Sequence, residues 1–234
     1  MAIYATNRIR DKILIAPNKC ASTWVETVLQ KDQFIDRQAA SKHSRNADTR
    51  NYLLVRDPVE WYVSGYRYCS WFMLEAAETN AVNLHMNSFE QHLELCVQRA
   101  WLARNGHMEF LLRSFDWHAW INPLYSAQGR FHNVVQLRNS SGNMSHDVKP
   151  IKIHEHVKIE DTPRLTELLR EFALPRANEA ALKTKSNVSS YSRPQLSERS
   201  KDLIKELDDW SATFGYDVHQ SIEDYNTKYS NRVP

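Results

Sequence analysis

Residues 12–24 read KILIAPNKCASTW, and this stretch decides the fold class of the chain. Its first part, the apolar run at residues 12–16, stops at a proline and is typical of a buried strand in a parallel sheet. Residues 22–31 then show helical spacing of apolar side chains, and Ser22 or Thr23 is expected to be the N-cap. The stretch therefore predicts a strand, a tight turn and a helix.

The same alternation of strands and helices continues along the chain. Asn51–Arg56 (NYLLVR) is a second buried strand, and Pro58 is expected to begin the next helix. Further strands are predicted at residues 133–138 and, with strict alternation, at residues 152–158. Later helices are predicted from Thr162 and over residues 197–214, the last ending at a glycine. This order predicts an α/β fold with a mostly parallel central sheet flanked by helices.

Length and composition favour one globular protein of ordinary charge. The 234 residues are enough for a single domain spanning residues 1–234, and the net charge of +2 gives no reason to expect a nucleic acid or membrane partner. The odd set Cys20, Cys69 and Cys96 matches no disulfide or metal framework, so we expect reduced thiols. No signal or membrane-spanning segment is predicted, which favours a cytoplasmic location.

The turn after the first strand carries residues suited to binding an anion. Lys19 supplies a positive charge, Ser22 and Thr23 supply hydroxyl donors, and the backbone N–H groups at a helix start favour a phosphate. The segment is not a Walker A motif, because GxxxxGK[ST] is absent. The alternative is an ordinary strand–turn–helix with a capping serine.

A second group of such residues follows the second strand. Arg56 comes at the carboxyl end of that strand, where ligands gather in open α/β sheets. Ser64 lies eight residues after Arg56, about two turns into the next helix, so that an arginine and a hydroxyl can hold a second phosphate. The alternative is that Arg56 forms a structural ion pair with Asp57 or Glu60.

Together the two segments resemble the family of sulfotransferases that use 3′-phosphoadenosine 5′-phosphosulfate (PAPS). In that family the first segment has the form PK-x-[GA]-[ST]-[ST]-W and the second begins R-[DN]-P and ends in serine. The matching residues here are Lys19, Ala21, Ser22, Thr23 and Trp24 in the first segment, and Arg56, Asp57, Pro58 and Ser64 in the second. The chain departs from the pattern at Asn18 and Cys20, and has Ala21 where many members have glycine.

The resemblance implies a three-layer, P-loop-like fold and a nucleotide site without metal. In the family the first segment, here residues 19–24 with Lys19, Cys20, Ala21, Ser22, Thr23 and Trp24, grips the 5′-phosphosulfate. The second segment, through Arg56 and Ser64, grips the 3′-phosphate. Lys19 would stabilise the bridging oxygen as adenosine 3′,5′-bisphosphate leaves. Trp24 itself is expected to pack in the core.

Looser similarities point to the carbohydrate-modifying branch of the family. They lie at residues 115–123, at residues 151–169 and at residues 187–217, which end in a helix and the tail Phe-Gly-Tyr-Asp. The acceptor implied is a hydroxyl, carbohydrate or other small molecule, or an amine. The sequence does not identify the acceptor or the oligomeric state.

The acceptor needs a general base, and histidine is the usual choice in the family. His43, in the polar stretch between the first helix and the second strand, is the first candidate, and His118, in a tryptophan-rich segment, is the second. Glu60 is expected to be a helix-surface residue or a residue next to the helix cap, and not the base. A basic loop with Lys183, Lys185 and Arg193 resembles loops that close over the nucleotide, although a solvated loop is the simpler interpretation.

Two other functions remain open from the sequence. A P-loop kinase would use ATP, but Walker A and a clear acidic magnesium site are missing. A non-catalytic nucleotide- or glycan-binding module could keep the same fold. The presence of Lys19, Arg56 and Ser64 favours the enzyme over this module.

Overall fold

The structure of the chain is a computed structural model, in which two compact units are found. One unit comprises Met1–Arg56 and Ile121–Ser189, the other Asp57–Trp120 and Ser190–Pro234. The single-domain organisation stays a prediction. The structure describes residues 3–17, 20–35, 39–40, 43, 46–66, 88–104, 125–126, 130–132, 150–173, 182, 193–208 and 211–229.

The first unit contains two sheets. The described strands are β1 (Ile3–Thr6), β2 (Lys12–Ala16), β3 (Arg50–Val55), β4 (Tyr125–Ser126), β5 (Arg130–His132), β6 (Pro150–Lys152) and β7 (Glu155–Lys158). The larger sheet has the order β1-β2-β3-β7, in which β1 is antiparallel to β2 and the other pairs are parallel. The smaller sheet, β4-β5-β6, is antiparallel. The predicted α/β class with a mostly parallel sheet is confirmed.

The central strands β2 and β3 are continuous runs of buried residues. Residues 13–16 of β2 and 51–55 of β3 are all buried, which means that both faces of the sheet are covered. The first predicted strand is confirmed at its predicted bounds, and the second begins one residue earlier, at Arg50, and ends at Val55.

The strand predicted at residues 152–158 is divided, so this prediction was wrong in part. β6 pairs with β5, whereas β7 pairs with β3. Between them His154 turns its imidazole to the backbone of β3: Nδ1 accepts from the N–H of Asn51 at 3.0 Å. The backbone N–H of His154 donates to the Asn51 carbonyl at 2.9 Å. Alternation predicted the buried Val157 and Ile159 but does not specify a partner strand. The strand predicted at residues 133–138 lies outside the described residues.

Helices in the described ranges belong to both units. They are α1 (Ser22–Val28), α2 (residues 58–66), α3 (Phe89–Arg104), α4 (Thr162–Phe172), α5 (Glu198–Leu207) and α6 (Val218–Tyr229). Of these, α1 and α4 lie in the first unit and the others in the second. Short 3-10 turns occur at Lys31–Gln33 and Ser211–Phe214.

The start of α1 differs from the prediction. Its N-cap is Ala21, with φ of 56° in the left-handed region, and no side chain caps the helix. The prediction of Ser22 or Thr23 as the N-cap was therefore wrong. The chain reverses one residue earlier than expected, because the N–H of Cys20 donates to the carbonyl of Pro17 at 3.0 Å. The helix also ends at Val28 instead of continuing to residue 31.

Helix α4 is fixed to the amino ends of the parallel strands. As predicted it starts at Thr162, and Asp161 caps it by accepting from the N–H of Arg164 at 3.1 Å. Arg164 binds both carboxylate oxygens of Glu155, the first residue of β7, at 2.7 Å each. Lys12, the first residue of β2, binds Glu171 of α4 at 2.6 Å. These ion pairs attach α4 to the amino ends of the parallel strands. The carboxyl ends of the same strands lie at the opposite side of the sheet.

The second unit is helical in its described part. Pro58 begins α2 as predicted, and Asp57 Oδ1 accepts from the N–H of Glu60 at 3.0 Å. Trp61 and Tyr62 of α2 are among the largest fully buried side chains. Helix α3 packs against α5, and α5 packs against α6.

The helix predicted over residues 197–214 is interrupted, so that prediction was wrong in part. Asp208 accepts from the backbone N–H of Ser211 at 3.0 Å and from its hydroxyl, which ends α5 and starts the 3-10 turn. Gly215, with φ of 70°, stops this turn as predicted. Helix α6 then follows, and the sequence analysis missed it.

The left-handed conformation of Ala21 makes a stability prediction. Replacing Ala21 by Gly relieves backbone strain of about 1–2 kcal/mol in the folded state. It also raises the entropy of the unfolded chain, which lowers stability by about 0.5–1 kcal/mol. We therefore expect A21G to leave the free energy of unfolding in urea unchanged or to raise it by up to about 1.5 kcal/mol. Ala212, which is exposed in a 3-10 turn, is the matched control. A212G should lower the free energy of unfolding by about 0.5–1 kcal/mol. Equal losses in both variants would contradict the assigned conformation of Ala21.

Candidate functional site

The carboxyl ends of three parallel strands meet at one edge of the first unit. Cys20 follows β2, Arg56 follows β3 directly, and Glu160 follows β7. The pairing of β3 with β7 continues past the strand ends, since the N–H of Ile159 donates to the carbonyl of Val55 at 2.9 Å. Arg56 and Glu160 therefore leave the sheet on adjacent strands, at the edge where ligands gather in parallel sheets.

The charges at these three strand ends act on one another. Burial raises the pKa of the fully buried Cys20 thiol; the positive charge of Arg56 lowers that pKa, and the negative charge of Glu160 raises it. The electrostatic interaction between Cys20 and Arg56 relates the two segments that were predicted to bind phosphate. The thiol itself is neutral, so it packs in the turn and carries no charge to a ligand.

The turn between β2 and α1 presents polar groups at this edge. Ser22 is half-buried and Thr23 is exposed, and both belong to the first turn of α1, whose N–H groups have no acceptor within the helix. Trp24 is only 2% exposed, which confirms its predicted place in the core. Lys19 lies outside the described residues.

In the second unit, Ser64 lies on a polar face of α2. Ser64 is half-buried and follows Glu60 by one helical turn, so the two side chains share a face. The Glu60 carboxylate forms an ion pair with Arg193, accepts from the Tyr229 hydroxyl at 3.0 Å and lies 3.6 Å from the Lys228 amine. Glu60 lies next to the helix cap, as one of its two predicted placements had it, because its N–H donates to Asp57 Oδ1. With its side chain 15% exposed, it is not the helix-surface residue of the other.

The partners of Glu60 are held in their charged forms. Burial lowers the pKa of Arg193, but the Glu60 carboxylate, with smaller contributions from Tyr229 and Tyr225, raises it, and the net shift is upward. For Lys228, burial likewise lowers the pKa, and Tyr229 and Glu60 raise it above the ordinary value. Arg193 was predicted to lie in a basic loop; the structure pairs its guanidinium with a carboxylate on α2.

Of the two candidate bases, only His43 lies among the residues that the structure describes. His43 is half-buried in the first unit, and its carbonyl accepts from the N–H of Asn46 at 3.0 Å. No hydrogen bond joins its imidazole to another described residue. His118 lies outside the described residues, as do Lys183 and Lys185 of the basic loop. The assignment of a base to His43 or His118 stays a prediction.

Three residues at or near the candidate site were not predicted from the sequence to have a role there. Glu160 belongs to the loosely similar stretch at residues 151–169, and its place after a parallel strand is the signal that could have singled it out. Glu60 was judged by its position on a helix alone. Tyr229 could have been noticed from its spacing of four residues from Tyr225, since the two rings lie 4.7 Å apart on α6.

Comparison of the chain with protein-family models, with curated proteins and with solved structures finds no match. Within the described ranges no group of three or more His, Cys, Asp or Glu side chains is arranged to hold a metal ion. None of the helices in that part of the chain combines the length and apolarity needed to cross a membrane.

The burial of Cys20 predicts slow reaction with alkylating reagents. At pH 8 we expect iodoacetamide to modify Cys20 at least about a hundredfold more slowly in the native protein than in urea, because the thiol is both inaccessible and protonated. Peptide mass spectrometry measures this rate for each cysteine. Cys96, which is also buried, is the internal control and should be equally protected. Rapid labelling of Cys20 alone would mean that the turn opens and that Arg56 dominates the thiol's pKa.

Proposed function

We propose that this protein is a sulfotransferase that moves a sulfuryl group from PAPS to a hydroxyl or amine acceptor, with a carbohydrate as the favoured acceptor class. The proposal includes a three-layer, P-loop-like arrangement of the whole chain and a cytoplasmic location. It requires a nucleotide site that recognises both a 5′-phosphosulfate and a 3′-phosphate. The product of the donor is adenosine 3′,5′-bisphosphate.

One observation carries the proposal further than the others. The two segments that resemble the family's phosphate-binding motifs follow β2 and β3, which are neighbouring parallel strands. Cys20 of the first segment and Arg56 of the second lie within electrostatic range of each other. A cation at the carboxyl edge of a parallel sheet, beside a strand–turn–helix, is what a bisphosphorylated nucleotide needs.

The reaction requires few groups because sulfuryl transfer, like phosphoryl transfer, depends on positioning and electrostatics. The acceptor oxygen or nitrogen forms a bond to sulfur while the bond from sulfur to the bridging phosphate oxygen breaks. Lys19 stabilises the negative charge that develops on that bridging oxygen. Ser22 and Thr23, with the first turn of α1, hold the 5′-phosphate, and Arg56 and Ser64 hold the 3′-phosphate.

The acceptor proton must leave as the new bond forms. In this proposal His43 or His118 accepts the proton. Such general-base catalysis raises the rate by a factor of about 10²–10⁴. No metal ion takes part in the proposed reaction, since the charge on the leaving group is neutralised by side chains and backbone donors.

Nucleotide binding tests the donor site directly. By calorimetry without magnesium, we expect adenosine 3′,5′-bisphosphate to bind more tightly than ADP or ATP. We expect R56A to reduce this preference about 10–100-fold, because a charge-assisted contact to phosphate is lost. R50A, which removes an exposed arginine at the amino end of the same strand, is the matched control and should bind as the wild type does.

The other outcomes point to the alternatives. Equal or tighter binding of ATP would contradict the sulfotransferase and favour a P-loop kinase. Binding of the bisphosphate without any release of product from PAPS would favour a non-catalytic module.

Turnover tests the catalytic residues. With PAPS and a panel of hydroxyl and amine acceptors, we expect K19A to abolish release of adenosine 3′,5′-bisphosphate, and H43A to lower it about 10²–10⁴-fold with little change in nucleotide affinity. Lys31 and His219 are exposed in the structure, and K31A and H219A serve as controls. Full turnover in K19A would remove Lys19 from the mechanism. Full turnover in H43A would transfer the role of base to His118, to be tested by H118A.

A further inference from the structure

The carboxylate of Glu60 is the centre of a polar cluster that joins three segments of the second unit. Arg193 Nη1 donates to Glu60 Oε2, and the Tyr229 hydroxyl donates to Oε1 at 3.0 Å. Lys228 Nζ lies 3.6 Å from the same Oε1. The side chains of Glu60 and Arg193 are only 15% and 19% exposed, so this ion pair is screened little by solvent. Both oxygens of one carboxylate on α2 are thus engaged.

A second set of contacts keeps the partners of Glu60 in place. The guanidinium of Arg193 lies 4.9 Å from the centre of the Tyr229 ring, and Lys228 lies 5.1 Å from it. The Tyr225 hydroxyl donates to the carbonyl of Pro194 at 2.9 Å, next to Arg193 in sequence. Helix α6 therefore contacts both the Arg193 side chain and the backbone next to it.

The cluster fixes the face of α2 that carries Ser64. Asp57 caps the helix through the N–H of Glu60, and the buried Trp61 and Tyr62 hold its apolar side. On the polar side, Glu60 and Ser64 are four residues apart, which places their Cβ atoms about 5–6 Å from each other. Holding Glu60 therefore restrains the rotation of α2 about its axis, and with it the side of the helix on which Ser64 lies.

Glu60 is negatively charged and lies one helical turn from Ser64, the residue proposed to bind a phosphate. A carboxylate one turn from Ser64 would repel a phosphate bound there. Arg193 and Lys228 bring two positive charges to this single carboxylate, so the cluster as a whole is positive. The arrangement keeps Glu60 as an anchor without leaving a negative field beside Ser64.

From these contacts we infer that Glu60, Arg193 and Tyr229 are positioning residues for recognition of the 3′-phosphate, acting through α2 on Ser64. This inference rests on the proposed function, in which Ser64 contacts the 3′-phosphate. It adds that α6, which lies far along the chain from both phosphate-binding segments, supports the discrimination between 3′-phosphorylated and other nucleotides.

The test compares two nucleotides that differ only in the 3′-phosphate. We expect the ratio of the Kd of adenosine 5′-phosphate to that of adenosine 3′,5′-bisphosphate to fall about tenfold in Glu60→Gln and about threefold in Tyr229→Phe. The affinity for adenosine 5′-phosphate itself should stay unchanged. Measurements well below the melting temperature, with circular dichroism of each variant, separate this effect from loss of fold.

Whether Glu60→Gln weakens or tightens the binding of the 3′-phosphate distinguishes positioning from charge. The substitution makes the cluster more positive by one charge, so an effect of charge alone would tighten binding of the 3′-phosphate, whereas loss of positioning weakens it. Tyr229→Phe changes no charge and keeps the test valid if Glu60→Gln does not fold. Glu198, ion-paired with Lys201 on α5, provides the control Glu198→Gln, which should bind as the wild type does.

Each result separates this inference from the proposed function. A wild-type protein without preference for the 3′-phosphate would overturn the proposed function and this inference with it. A wild-type preference that persists in both Glu60→Gln and Tyr229→Phe would overturn this inference alone. Tighter binding in Glu60→Gln with no change in Tyr229→Phe would overturn it as well, because charge would then be the cause.

Discussion

The parallel pairing of β2 with β3, and of β3 with β7, is the constraint on which the rest of the account depends. Parallel pairing sends the carboxyl ends of all three strands to one edge, so that Cys20 comes within electrostatic range of Arg56 and Glu160 although the three are far apart in sequence. The ion pairs of Lys12 and Arg164 hold α4 at the amino ends. Structural anchoring and the candidate site therefore occupy opposite edges of one sheet.

Much of this frame could be predicted from the sequence, because the signals are local. The buried runs at β2 and β3 are continuous and apolar, and such runs fit strands that are covered on both faces. The start of α2 at Pro58 and the cap of α4 at Asp161 follow from the chemistry of single residues. The position of Arg56 at the end of β3 follows from the strand itself.

The errors arise where specific side-chain contacts, near or distant in sequence, override the hydrophobic pattern. His154 accepts a backbone hydrogen bond from Asn51, and this contact separates β6 from β7 in a stretch whose alternation is unbroken. Asp208 ends α5 by binding Ser211, inside an apparently continuous helical pattern. The role of Glu60 depends on Arg193 and Tyr229, which are more than a hundred residues away in sequence. No periodicity in the sequence encodes such partners.

The central claim is that the edge formed by the ends of β2 and β3 binds a nucleotide with phosphates at both its 3′ and 5′ positions. A crystal structure of the full chain with adenosine 3′,5′-bisphosphate tests it most directly. The account predicts the 3′-phosphate within hydrogen-bond distance of the Arg56 guanidinium and the 5′-phosphate at the turn between β2 and α1. A nucleotide bound elsewhere, or bound at this edge with its two phosphates exchanged, would contradict it.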